Sequence, residues 1–278
     1  MVNRYMSGKD IFITEYPSIA DFITDINSLP VNKFYKVREK DLSSHRKDSD
    51  DKGWYRSRNY AEATELLTHG WDAAAEKMSQ KVKMTSGVQS SVRSSKPAYG
   101  VVGSQASVPR YLQGIPTNMV SRQMTYSKQK VVTITKGISY SGWWSSEAIM
   151  RESIKALQII QSMENAGQRV RLNVMIAATT GGKTAICKVC VKQPDQRMNI
   201  SKMAFALAHP AMLRRFFFRW IETDPVIDFD LGDGYGTPAA NSIKEKAMAD
   251  NEYYIPEEIS DMDALIKQLQ EGKPRKHA

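Results

Sequence analysis

The sequence predicts a mixed α/β protein in which a central sheet lies between helices. Three consecutive patterns support this class. Val131–Thr135 is a run of β-branched residues, which is typical of a strand. Apolar side chains recur every three or four residues over Glu147–Ala166, and such a broad stripe suits a helix that lies on a sheet. Val170–Ile176 alternates apolar and polar residues, which predicts a second strand.

Helix signals on either side of this core predict three segments. Residues 1–125 form a mainly helical and loop-containing N-terminal region, residues 126–230 the α/β core, and residues 231–278 a helical C-terminal extension. In the first segment Asn59 is a good N-cap and Gly70 a good helix stop. The Ser- and Gly-rich stretch 85–107 predicts a flexible connection or a long loop, whose order the sequence leaves open.

Composition and charge narrow the function classes. A hydrophobic fraction of 41% and a charged fraction of 25% are those of an ordinary globular protein. No apolar stretch approaches the roughly 18 residues of a membrane helix, and two cysteines make no disulfide framework, so we expect a cytoplasmic protein without a membrane partner. The net charge of +9 favours nucleic acid as the partner, the alternative being solubility alone.

Two motifs resemble a nucleotide-binding loop and a metal site, but neither meets the geometric requirements of that site. A phosphate-binding loop at Thr180–Thr184 would need glycine at position 177, which is Ala177, and would need a helix after it rather than a strand. A Gly-Gly hairpin turn explains the stretch better. Cys187 and Cys190 have metal-site spacing, but on a strand residues three apart point to opposite faces. We therefore predict a protein that is not an enzyme and has no cofactor and no metal.

One stretch resembles a known architecture. The strand ending at Thr135 is followed by Gly137-Ile138-Ser139-Tyr140-Ser141, then by the amphipathic helix and the next strand. This order resembles the von Willebrand factor A-type fold, whose first strand ends in an Asp-x-Ser-x-Ser metal motif. The resemblance implies that fold for the core, while Gly137 in place of the aspartate argues against its metal site.

A second resemblance concerns the whole chain. The stretches NYAEATELLTHGWDAAAEKM, VPRYLQGIPTNM and MAFALAHPAMLRRFFFRW are similar to an uncharacterised family of tailed-phage proteins. Among phage proteins of this size and charge, accessory proteins bind single-stranded DNA and bring a phage polymerase to it. The resemblance therefore implies a phage-encoded protein in the host-cell cytoplasm.

Single-strand binders combine basic side chains with aromatic rings on which bases stack. Three segments have that composition, each with core packing of its aromatics as the alternative. The candidate residues are Trp54, Tyr55, Arg56 and Arg58 in the first, Tyr140, Trp143 and Trp144 in the second, and Arg214 and Arg215 in the third.

These observations predict a phage-encoded nucleic-acid-binding accessory protein that binds single-stranded DNA and recruits a phage polymerase or replisome component. The sequence leaves open DNA versus RNA and the oligomeric state. The alternative is a non-enzymatic protein-interaction or virion structural protein built on a metal-less von Willebrand A-type module.

Overall fold

The computed structural model describes residues 1–36, 42–46, 53–83, 95–124, 130–232 and 234–271. Its strands are, in chain order, β1 (Asn3–Ser7), β2 (Ile11–Tyr16), β3 (Ser95–Gly100), β4 (Gln105–Ala106), β5 (Met119–Met124), β6 (Val131–Gly137), β7 (Arg169–Thr180), β8 (Lys183–Lys192), β9 (Thr237–Pro238) and β10 (Glu252–Ile255).

The helices are α1 (Ile19–Ser28), α2 (Tyr60–His69), α3 (Asp72–Lys83), α4 (Val108–Leu112), α5 (Ser146–Asn165), α6 (Ile200–Ala208), α7 (Phe218–Thr223), α8 (Asn241–Lys246) and α9 (Met262–Glu271). A π-helical segment, Met212–Phe217, leads directly into α7. Asn59 caps α2 as predicted, since its side chain accepts a hydrogen bond from the Glu62 N–H. In the described part of the chain no helix is long and apolar enough to cross a membrane.

Seven strands of the described residues form the main sheet. Their order is β1-β2-β8-β7-β6-β10, with β9 paired to β7. β6 runs parallel to β7 and to β10, whereas β7 and β8 form an antiparallel hairpin. Gly181 and Gly182 turn that hairpin with φ of 53° and 83°, which confirms the predicted turn. The predicted α/β class is confirmed, with α5 connecting the parallel strands β6 and β7.

The sheet buries apolar side chains on both faces. The larger core packs the sheet against the helices, and Leu157 of α5, Phe205 of α6 and Trp220 of α7 belong to it. The smaller core, which includes Ile13, Met175 and Ala247, lies on the other face under the residues around α8. Sheet strands come from each of the three predicted segments, and the segment boundaries themselves stay a prediction.

A separate sheet corrects the prediction for residues 85–107. β3, β5 and β4 form a three-stranded antiparallel sheet, and α4 connects β4 to β5. Residues 95–100 and 105–106 are therefore strands and not loop, because they pair with β5 beyond the end of that stretch. Residues 85–94 lie outside the described residues. We call the unit formed by β3, β4, β5 and α4 the small sheet.

Candidate nucleic-acid interface

The three predicted segments meet at one place in the fold. The Arg214 guanidinium lies 3.6 Å from the centre of the Trp54 ring and donates a 2.5 Å hydrogen bond to the Trp54 carbonyl oxygen. Gly142 faces the same ring, since a Cβ there would lie 2.8 Å from the Trp54 Cη2 atom. Residues distant in sequence are thus brought together.

Arg215 is an internal anchor of this region. Its side chain is fully buried and donates hydrogen bonds to the Ser57 hydroxyl (2.7 Å), the Ser57 carbonyl (2.7 Å), the Ser43 carbonyl (3.1 Å) and the Arg46 carbonyl (2.9 Å). Its guanidinium also stacks on the buried Tyr55 ring at 4.1 Å. Burial leaves Arg215 and Tyr55 inaccessible to a strand, so we reassign both to holding residues 42–46 and 53–58 against the π-helical segment.

The other predicted residues divide between surface and interior. Arg56 and Arg58 are exposed, and Arg58 pairs with Glu62 one helical turn away at 3.0 Å. Trp143 has 82% of its surface exposed. Tyr140 is buried and packs against the half-buried Trp144 with 5.1 Å between ring centres, so Tyr140 is also unavailable to a strand on the surface.

A cavity of about 300 Å³ opens where β6 ends and beside the second half of β7. In α/β folds ligands bind at the carboxyl ends of strands. Four aromatic residues, Trp54, Tyr140, Phe218 and Tyr235, line it together with Arg214 and with small and aliphatic residues such as Ala178. We call it the aromatic pocket.

Tyr235 is fixed in place by contacts on both ring faces. Its ring is stacked between Phe218 (4.1 Å between centres) and Tyr35 (5.7 Å), and its hydroxyl donates to Glu222 Oε1 at 2.5 Å. The Tyr235 φ of 57° lies in the left-handed region, where a bulky residue is strained. These contacts compensate for the strain and hold a rigid ring at the pocket wall.

Arg214 brings positive charge to the pocket wall without an acidic partner. Only 6% of its surface is exposed, and its contacts are the carbonyl and the ring of Trp54. Among the described residues no carboxylate lies within ion-pair distance of it. Burial and the nearby charge of Arg56 lower the pKa of Arg214 to about 10, although the side chain remains protonated near neutral pH.

A buried polar network occupies the position of the metal motif. A Cβ at Gly137 would lie 2.8 Å from Glu257 Oε1, so the Glu257 carboxylate stands beside the place of the absent aspartate. Glu257 accepts hydrogen bonds from Lys244 Nζ (2.7 Å) and from the Ser139 N–H (3.1 Å). Burial opposes its charge most strongly, but the Lys244 ammonium, a backbone hydrogen bond and the Lys136 charge together hold the pKa of Glu257 below its usual value. The protein thus supplies its own cation to this carboxylate.

The charge of the chain is concentrated in one segment. Residues 77–146 contain ten Lys and Arg residues and not one Asp or Glu. The remainder has 29 basic and 30 acidic residues, so the segment accounts for the whole net charge of +9. We call residues 77–146 the acid-free segment, and it includes the small sheet.

The small sheet carries exposed aromatic and apolar side chains. Tyr99 and Tyr111 are 48% and 68% exposed, and the Arg110 guanidinium lies 3.9 Å from the centre of the Tyr99 ring. Arg110 also donates to the Thr117 carbonyl at 3.1 Å, which fixes its position. The exposed apolar side chains are Val101, Val102, Val108 and Leu112.

None of the predicted binding residues lies on this sheet. Local clusters of aromatic and basic residues do not reveal it, since its rings and charges are spread over many positions. The signal that could have found it in the sequence is the absence of acids over 70 residues.

Comparison with known proteins identifies the family of the chain but not its function. No curated protein and no solved structure matches the chain. The profile of DUF7192, a domain of unknown function, matches residues 4–270, and the chain therefore belongs to the DUF7192 family.

Proposed function

We propose that this chain is a nucleic-acid-binding accessory protein that binds single-stranded DNA on the small sheet. The observation that carries the proposal is the acid-free segment, whose ten basic residues account for the whole net charge. Phosphate backbones attract such a segment, and no carboxylate within it opposes the approach of an anion.

The exposed rings favour a single strand over a duplex. In a duplex the base faces are stacked on one another, whereas an unpaired strand offers them to protein rings. Tyr99 and Tyr111 are exposed on the small sheet, and Arg110 lies on the first of them. Each base stacked on such a ring contributes about 1–3 kcal/mol.

The exposed apolar residues of the small sheet fit a protein partner, and this supports two roles. In the accessory role, which we favour, the partner is a polymerase or replisome component of the phage that we propose encodes the chain. In the alternative, the chain is an interaction or virion structural protein. Mass spectrometry of purified particles separates the two roles, because a virion component must be present in many copies.

Fluorescence anisotropy with labelled oligonucleotides tests the proposal. We expect wild-type protein to bind a single strand more tightly than the matching duplex, with affinity that falls as salt is raised from 50 to 200 mM. Tyr111→Ala should weaken single-strand binding by about five- to 150-fold, the cost of one lost stack. Tyr5→Ala, which removes a tyrosine that is 37% exposed on β1, is the matched control. Binding that is absent at low salt, or insensitive to salt, would refute the proposal.

A further inference from the structure

We infer that the aromatic pocket binds a nucleotide, with its base among the pocket rings and its phosphate on Arg214. The pocket is separate in the fold from the small sheet, so this site does not depend on the proposed strand-binding surface. Four features of the pocket support the inference.

The first feature is the unmet binding capacity of Arg214. A guanidinium has five N–H donors, and Arg214 uses one of them, toward the Trp54 carbonyl. Its neighbour Arg215 donates four hydrogen bonds from the same π-helical segment. A buried charge is costly unless it is paired, and an anionic ligand would supply the pair that the described residues do not.

The second feature is the identity of the anion that Arg214 favours. The planar guanidinium fork binds phosphate or carboxylate through two parallel hydrogen bonds. Arg56 adds a second positive charge close enough to lower the pKa of Arg214. Two neighbouring positive charges favour phosphate, which carries more negative charge than a carboxylate.

The third feature is the wall of rings. Trp54, Tyr140, Phe218 and Tyr235 line the cavity. Three of them are held rigidly: Trp54 by Arg214, and Phe218 and Tyr235 by their mutual stack. Rigid aromatic walls bind a flat ring at little entropic cost.

The fourth feature is size. A cavity of about 300 Å³ lies at the small end of the range of ligand pockets, about 300–1,000 Å³. That volume suits one base with its sugar and is too small for a longer ligand. The ligand can be a free nucleotide or the phosphorylated end of a strand, because both present the same base and phosphate.

Calorimetry with the four deoxynucleoside 5′-monophosphates and the matching nucleosides tests the inference. We expect at least one monophosphate to bind about tenfold or more tightly than its nucleoside, which is the effect of one charge-assisted hydrogen bond pair. Arg214→Gln should remove this advantage. Arg197→Gln removes the same charge from an exposed side chain that does not line the pocket, and it should leave the advantage unchanged.

A second variant fills the cavity without touching the arginine. Ala178 lies on β7 at the pocket wall, and Ala178→Leu should weaken binding of nucleotide and nucleoside together. Unchanged thermal melting shows that each variant is folded. Absence of binding by all probes, equal affinity for monophosphate and nucleoside, or unaltered binding by Ala178→Leu would overturn the inference.

Oligonucleotides with and without a 5′-phosphate then separate the two sources of ligand. An advantage of the phosphorylated strand that is lost in Arg214→Gln assigns the pocket to strand ends, and an advantage confined to mononucleotides assigns it to free nucleotides. If mononucleotides bind but no single strand binds, the inference about the pocket stands and the proposed function is refuted. If single strands bind but no mononucleotide binds, the proposed function stands and the inference about the pocket is refuted.

Discussion

Replacing the buried Arg215 by methionine should be among the most damaging single changes in this fold. Methionine fills most of the volume but donates no hydrogen bond. The Ser57 hydroxyl and the carbonyls of Ser43, Arg46 and Ser57 would then lose a charged donor inside the protein.

The magnitude follows from these four contacts. A hydrogen bond to a charged group contributes about 1.5–3 kcal/mol, but four bonds to one guanidinium are not additive, and removal of the arginine also removes its own desolvation cost. Breaking a buried charged network costs about 3–5 kcal/mol. We therefore expect Arg215→Met to lower the free energy of unfolding by about 3–5 kcal/mol.

Urea unfolding followed by circular dichroism measures this loss, and limited proteolysis reports whether residues 42–46 and 53–58 are released. Arg58→Met is the matched control, because that side chain is 86% exposed and solvent screens its ion pair with Glu62, so its loss should change stability little. A loss below about 1 kcal/mol for Arg215→Met, with no new cleavage in residues 42–46 or 53–58, would refute the anchoring role.

Two further changes test other buried parts of the fold. Burial lowers the pKa of His209 to about 4. Below about pH 6.5 the unfolded chain therefore binds a proton at this residue that the folded protein does not bind. The free energy of unfolding should fall by up to about 3 kcal/mol as the pH drops from 6.5 to 4. His209→Asn keeps an acceptor for the Ala211 N–H, and the free energy of unfolding of this variant should fall less between pH 6.5 and 4. The same pH dependence in wild type and variant would contradict the assignment of this loss to His209. Gly137→Asp should lower the free energy of unfolding by about 1–3 kcal/mol, because its Cβ meets Glu257, and Mg²⁺ should not restore the loss. Recovery of thermal stability with Mg²⁺ would instead indicate a metal site.

The helices and strands of the core could be predicted from the sequence where they have one apolar and one polar face. α5 buries one face in the core, so its apolar residues recur at helical spacing in the sequence. Its observed bounds differ from the predicted ones by one residue at each end. Of the main-sheet strands, β1, β2, β9 and β10 were not predicted as strands. β1 is a short, largely exposed edge strand, and β10 has four residues, so neither has room for a clear alternation.

The candidate site was harder to predict because its contacts join residues far apart in sequence. Arg215 reaches the Ser57 carbonyl across 158 positions, and nothing in the local sequence distinguishes such an arginine from an exposed one. Arg214, its immediate neighbour, lines the pocket instead. The small sheet was missed for a different reason: residues 85–107 contain many Ser and Gly residues, and their strand structure comes from pairing with β5.

The central claim is that the acid-free segment holds the nucleic acid, and relocation of charge tests it most directly. One variant replaces four basic residues of the segment by Gln, namely Arg93, Lys96, Lys128 and Lys130. A control removes the same charge from exposed positions elsewhere, namely Lys9, Lys33, Arg197 and Lys202.

The measurement is single-strand affinity as a function of salt concentration for wild type and both variants. Each lost phosphate contact lowers the slope of log affinity against log salt by about 0.7, so the segment variant should lose up to about 3 in slope. The control should keep the wild-type slope. Equal losses in the two variants would mean that net charge alone, and not this segment, attracts the strand, and would contradict the claim.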